Sequence, residues 1–144
     1  MRRVVIEVVA ALVPHPTQSN RYLVACRSAG ETRGGKWEFP GGKIRAEESH
    51  EQALARELRE ELAVASDIGP LYLLTFHQYE DIGIRLWTYL TTIHGNPTAG
   101  PGHSTLAWML PDEMVSADFS AADLPVIRAL RAGMGEIGRA EIFD

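Results

Sequence analysis

The chain has 144 residues, 45% of them hydrophobic and 23% charged, with a formal net charge of −5. That length suits one core, and the composition is that of a globular protein. An acidic balance without basic clusters argues against long nucleic acid as a partner, and no apolar run reaches the roughly 20 residues a membrane helix needs. The single cysteine, Cys26, rules out an internal disulfide and fits a reducing, cytoplasmic setting.

The N-terminal stretch MRRVVIEVVAALVPHP carries Glu7 inside its apolar run and no small-residue cleavage site, so it reads as a strand and not as a leader. The strand is expected over 3–13, rich in β-branched residues. PHPTQSN is turn material. Residues 21–27, RYLVACR, are expected to form a second strand, a hairpin partner of the first, with Cys26 in the core. A polar, glycine-rich loop spans 28–36. WEFP is extended, because the residue before proline avoids helical angles, and Gly41–Gly42 turns the chain.

Residues 49–63, SHEQALARELREELA, form the clearest helix. Ser49 and Gln52 match a capping box, and Ala53, Leu54, Leu58 and Leu62 make an apolar stripe at helical spacing. Strands are expected over 70–79, 84–93 and 106–110, the first two joined around 80–83. A second helix covers 122–132, and the glycine-rich tail from Gly133 reads as loosely held. Strands, helix, strands, helix imply an α/β or α+β fold with a mixed sheet between helices. Trp37, Trp87 and Trp108 read as core.

The stretch ARELREEL at 55–62 places Glu57, Glu60 and Glu61 within five positions. Positions three and four apart share a helix face, so these carboxylates form a face of their own, away from the apolar stripe. Carboxylates about 6 Å apart repel by roughly 1–3 kcal/mol, and Arg56 and Arg59 stand ready to relieve part of this. A solvated acidic face is one reading. A hard-cation site is the other, since oxygen-only donors suit magnesium or manganese and do not suit zinc.

The segment before the helix supplies context. Gly42, five residues, Glu48, seven residues, Arg56-Glu57-Leu58, one residue, Glu60-Glu61, one residue, Ala63-Val64 closely resembles the Nudix box, G-x5-E-x7-R-E-U-x-E-E-x-G-U, with U an aliphatic residue. Ala63 departs from it, standing where the family has glycine. WEFPGGKI and DFSAADLPVIRAL extend the resemblance to the MutT-type nucleotide pyrophosphohydrolases, and within them to the CTP pyrophosphohydrolases, over roughly 3–132; a single domain is expected over 1–132.

The resemblance implies hydrolysis of a nucleoside triphosphate, including modified or oxidised ones, to a monophosphate and pyrophosphate with magnesium or manganese. It implies metal-binding and catalytic roles for Glu57, Glu60 and Glu61, with Glu57 favoured for activating water, and the backbone carbonyl of Gly41 as a further ligand. Gly42, Glu48 and Arg56 take structural roles, Glu48 and Arg56 through a carboxylate–guanidinium contact. Arg27 and Lys43 face the phosphates. Phe39 and the backbone around Glu38–Pro40 line a nucleobase pocket. Asp123 reads the base, although AADLPVI also suits a helix start with Asp123 as its cap. Relatives often carry a glutamate where Gly102 stands here, which leaves His103 beside the gap. A Nudix hydrolase of ADP-ribose or a dinucleotide, or a binding module on the same fold, are the alternatives. The partner is a small nucleotide in each case, and the oligomeric state is left open.

Overall fold

The structure is a computed structural model and describes residues 4–133. Most of the stretch read as a loose tail, residues 134–144, lies outside the described residues.

Strand β1 (Val5–Leu12) is the centre of the larger sheet. It pairs antiparallel with β4 (Gly41–Lys43) on one side and parallel with β6 (Gly83–His94) on the other, and β6 pairs with β5 (Ala65–Gln78) to give the order β4-β1-β6-β5. A smaller sheet has the order β3-β2-β7, formed by β3 (Trp37–Glu38), β2 (Tyr22–Arg27) and β7 (His103–Met109). The hairpin expected between the first two strands is therefore not formed as a ladder, since β1 and β2 lie in different sheets. The chain leaves β1 and crosses to the other sheet, keeping one antiparallel bridge, Pro14 with Tyr22, closed by His15 N–H to the Arg21 carbonyl at 2.8 Å and Leu23 N–H to the Val13 carbonyl at 3.0 Å. The apolar runs of the two strands look alike, and nothing local in them distinguishes a hairpin from a crossing between sheets.

Side chains alternate along a strand, and both faces of β1 are buried. Val9 and Ala11 pack with Ala53, Leu54, Leu58 and Leu62 of helix α1 (His50–Leu62). Ala10 and Leu12 pack on the opposite side with Val126, Ile127 and Ala129 of helix α2 (Leu124–Arg131). The sheets are thus sandwiched between the two helices. The three tryptophans are partly buried against these clusters. Cys26 is only half-buried, where β2 bulges.

Three boundaries differ from expectation, one of them at β7, which starts at His103 and not at 106. β5 starts at Ala65, directly after α1, and carries its irregular register across the Gly69–Pro70 region. The residues ASDIG lack the β-branched alternation that would have marked them as strand. The last helix is shorter than expected, since 121–123 form a 3-10 turn ahead of α2.

Candidate active site

Helix α1 begins with a complete capping box: Gln52 N–H donates to Ser49 Oγ at 3.0 Å, and Ser49 N–H donates to Gln52 Oε1 at 2.9 Å. The apolar stripe then fixes the helix rotation, so the acidic side must face away from that cluster. Arg56 organises that side. Its guanidinium grips Glu48 through two bonds, of 2.6 and 2.8 Å, and reaches the Lys43 carbonyl at 3.1 Å, tying the 43–48 loop to the helix. The bonds from Arg56 hold the Glu48 carboxyl down at about 2. Arg56 also donates to Glu57 at 2.8 Å and to Glu60 at 3.1 Å. The second basic neighbour of Glu60 is Arg45, at 3.8 Å, rather than the expected Arg59. Arg59 is exposed, about 100° round the helix from Glu60, and its carbonyl receives the Ala63 N–H.

A cavity of about 510 Å³ opens beside this face. Its acidic end is lined by Gly41, Gly42, Lys43 and Glu61, and its other end by Phe39, Tyr79, Ser120 and Asp123. The Glu57 carboxylate lies directly over Gly42, where an added Cβ would come within 2.4 Å of its carboxyl carbon. A side chain there would push the Glu57 carboxylate from its place beside Arg56. Glu61 is largely buried, and burial, then the neighbouring Glu57 and Glu38, pushes its carboxyl up to about 9. Among the described residues no three His, Cys, Asp or Glu side chains stand ready to hold a metal ion, and Arg56 binds both Glu57 and Glu60. The donor set still fits a hard divalent cation: oxygen atoms alone, a buried carboxyl crowded by its own kind, and a glycine face with no side chain in the way.

The loop after β6 brings in a further residue. Thr98 N–H donates to the Leu62 carbonyl at 3.0 Å and Gly100 N–H to the Glu61 carbonyl at 2.8 Å, so this loop caps the C-terminal end of α1. A Cβ at Gly100 would stand 2.5 Å from the Glu61 carbonyl oxygen. Gly102 then turns with φ 87°, and His103 points inward, its side chain only 3% exposed. His103 Nε2 lies 2.8 Å from Glu38 Oε2, and Nδ1 lies 3.2 Å from Glu61 Oε2.

Arg27 meets Glu38 at 3.2 and 3.4 Å and donates to the Thr32 carbonyl at 2.6 Å, so its guanidinium is engaged within the protein while still lining the cavity. Lys43 is exposed at the rim. Phe39 is buried, tilted against Phe119 with ring centres 6.2 Å apart. Asp123 makes no helix-capping bond with its side chain. It is buried and accepts the Phe39 N–H instead; burial, then Glu38, raises its carboxyl well above the ordinary range. Tyr79 and Arg33 went unnoticed in the sequence. The Tyr79 hydroxyl accepts the Ala122 N–H at 3.1 Å, and Arg33 stacks 4.5 Å from the Tyr79 ring centre. The end of a strand and an arginine in a polar loop carry no pattern that would single them out. His77 and Gln78, next to Tyr79, are not among the cavity-lining residues.

A NUDIX domain profile matches residues 6–130, and the chain belongs to this family of hydrolases. Members generally use divalent metal ions. The chain is 37% identical over 131 residues, 88% of its own length and 92% of the relative's, to a CTP pyrophosphohydrolase of Escherichia coli (strain K12). It is 33% identical over 115 residues, 79% of its length and 88% of the relative's, to an 8-oxo-dGTP diphosphatase of the same organism. Among solved structures, the solution structure of the E. coli ORF135 protein matches with a TM-score of 0.76 and 34% identity, covering 92% of this chain and 94% of that one. A MutT protein from Methanosarcina mazei Go1, 20% identical, matches in fold with a TM-score of 0.81 over 94% of this chain and 99% of that one. The expected Nudix fold, with its mixed sheet and two helices, is the one observed.

Proposed function

We propose that the protein hydrolyses a nucleoside triphosphate to the monophosphate and pyrophosphate, using magnesium or manganese, and prefers cytosine-type bases. One observation carries this reading: a single cavity joins the acidic end at Gly42 and Glu61 to a buried Asp123. A divalent cation at the acidic end would supply charge neutralisation for the phosphates and a more acidic water. Glu57 and Glu61 would hold it, with Glu60 and the Gly41 carbonyl as further donors. Lys43 at the rim is placed for the phosphates, and Phe39 for stacking against the base.

Asp123 decides between bases. An ionised carboxylate only accepts hydrogen bonds and suits the paired donors of an 8-oxoguanine edge. A protonated carboxyl donates once and accepts once, which suits the ring nitrogen and exocyclic amine of cytosine. Burial raises the Asp123 carboxyl, and this favours the protonated form and therefore cytosine. The names of the two Escherichia coli relatives cover the same two choices.

The test is kcat/KM across CTP, dCTP, 5-methyl-dCTP, 8-oxo-dGTP, UTP and dTTP for the wild type and Asp123→Asn. Leaving a buried partner unpaired costs about 1–3 kcal/mol, roughly tenfold to a hundredfold in selectivity. Cytosine substrates should lead by that margin over UTP and dTTP. Their kcat/KM should fall as pH rises through the raised Asp123 pKa, because the donating proton is then lost. An 8-oxo-dGTP preference that strengthens with pH would reverse the assignment of the base. Asparagine, like the protonated carboxyl, both donates and accepts, so Asp123→Asn should keep the cytosine preference and lose its pH dependence; the same fall with pH in the variant would remove Asp123 from base reading. Full turnover in excess chelator would remove the metal.

A further inference from the structure

His103 lies between two carboxylates, 2.8 Å from Glu38 and 3.2 Å from Glu61, and Glu38 in turn meets Arg27. Its backbone position follows from the loop that caps α1, since Gly100 must approach the Glu61 carbonyl closely and Gly102 must adopt a left-handed turn. The ring fills a sealed space. Glu61 Oε2 and His103 Nδ1 have no solvent access and make no well-aligned hydrogen bond, although they lie 3.2 Å apart. Glu61 nevertheless lines the cavity. With one of its oxygens covered by the imidazole, the carboxylate offers the other to the cavity. On the far side of the ring, Glu38 takes the Nε2 contact and also binds Arg27. Arg27 in turn holds the 28–36 loop through the Thr32 carbonyl.

We propose that His103 is a positioning residue that couples Glu38 to Glu61, fixing one oxygen of each carboxylate so that the metal-binding face is held in register with the strand leading to the base pocket. The proposal rests on the active-site reading above but concerns a link between two side chains and not the identity of the substrate. An imidazole suits the place because it is rigid and spans the gap between the two carboxylates.

The experiment measures manganese affinity without nucleotide, from the free-ion electron paramagnetic resonance signal, together with kcat and KM. Loss of a residue that orients a metal ligand typically costs ten- to a hundredfold in affinity or activity. His103→Ala should weaken manganese binding by about tenfold and lower kcat more than it alters KM. His103→Gln, whose amide can still reach Glu38, should recover most of the affinity. Glu38→Ala should weaken manganese binding similarly, and the double variant should be little worse than either single one, the non-additivity expected of a coupled pair. Wild-type manganese affinity in His103→Ala, a glutamine variant no better than alanine, or additive losses would each overturn the proposal. If His103→Ala loses its cooperative thermal transition, the glutamine variant decides alone: near-wild-type affinity supports the coupling, and a folded protein with tenfold weaker binding overturns it. A wild type that hydrolyses no nucleoside triphosphate would sink the proposed function, while the manganese cycle would still judge His103.

Discussion

Glu57, Glu60 and Glu61 are chemically alike but sit in different places, and their substitutions should rank accordingly. Glu61 lines the cavity and Glu57 lies over Gly42, whereas the Glu60 side chain is 50% exposed and shared between Arg56 and Arg45. Glu57→Gln and Glu61→Gln should each lower kcat about a hundredfold, near 3 kcal/mol. Glu60→Gln should cost clearly less. Equal losses for all three, measured at saturating magnesium, would contradict the ranking. Asp123 gives a stability prediction of its own. A carboxyl with a raised folded pKa favours the native state at low pH and loses that contribution as pH rises through the folded value. Asp123→Asn removes the charge yet can still accept the Phe39 N–H. Its melting temperature should therefore exceed the wild type's at neutral and alkaline pH, with the gap closing toward acid; a gap that does not change with pH would contradict this. The acidic helix face was legible in the sequence because i, i+3 and i+4 spacing is local. The surroundings of Asp123 were not, since they depend on the Phe39 N–H, which comes from the distant segment just after β3.

At the level of elements, the end of α1 departs most from its motif. Ala63 takes a left-handed conformation, φ 57° and ψ 38°, where a Cβ is strained. Ala63→Gly should stabilise the protein by about 1 kcal/mol, or about 3 °C in Tm, offset in part by glycine's greater freedom when unfolded. Calorimetry on the two proteins checks this, and a lower Tm for the glycine variant would mean that the docked 95–103 loop has already absorbed the strain. Helix α1 could be read closely from sequence because its cap and stripe are short-range signals. The wrong partner for β2 has the opposite cause. Two buried, β-branched strands separated by PHPTQSN look alike whether they pair or part, and only the demand for two sheets, each covered by a helix, separates them. His103 lies between these cases: its place beside Gly102 could be read, but its reach to Glu38 and Glu61 depends on the loop's grip on α1.

For the whole molecule, the central position of β1 governs how the protein assembles. Its parallel register pairs Val5 with Gly83 and Leu12 with Leu90, so most of the chain must be threaded before that ladder can close. The neighbouring β5 and β6 pair antiparallel through a short connection and can form on their own. Pairings between distant segments are slow because loop closure must be met before contacts reward it. Helix α1 and the β5–β6 hairpin should thus acquire amide protection early in pulsed hydrogen exchange during refolding, and β1 and β4 last. The floor of the cavity is made partly of Val8, Ala10 and Gly41, all on those late strands. Nucleotide hydrolysis should consequently return more slowly than the helical circular dichroism signal, and simultaneous recovery of the two would show that β1 joins the sheet together with the hairpin. The arrangement makes catalytic competence the last property a nascent copy of this protein acquires: a chain that has helix α1 but not its first strand in place has the acidic face without the cleft beside it.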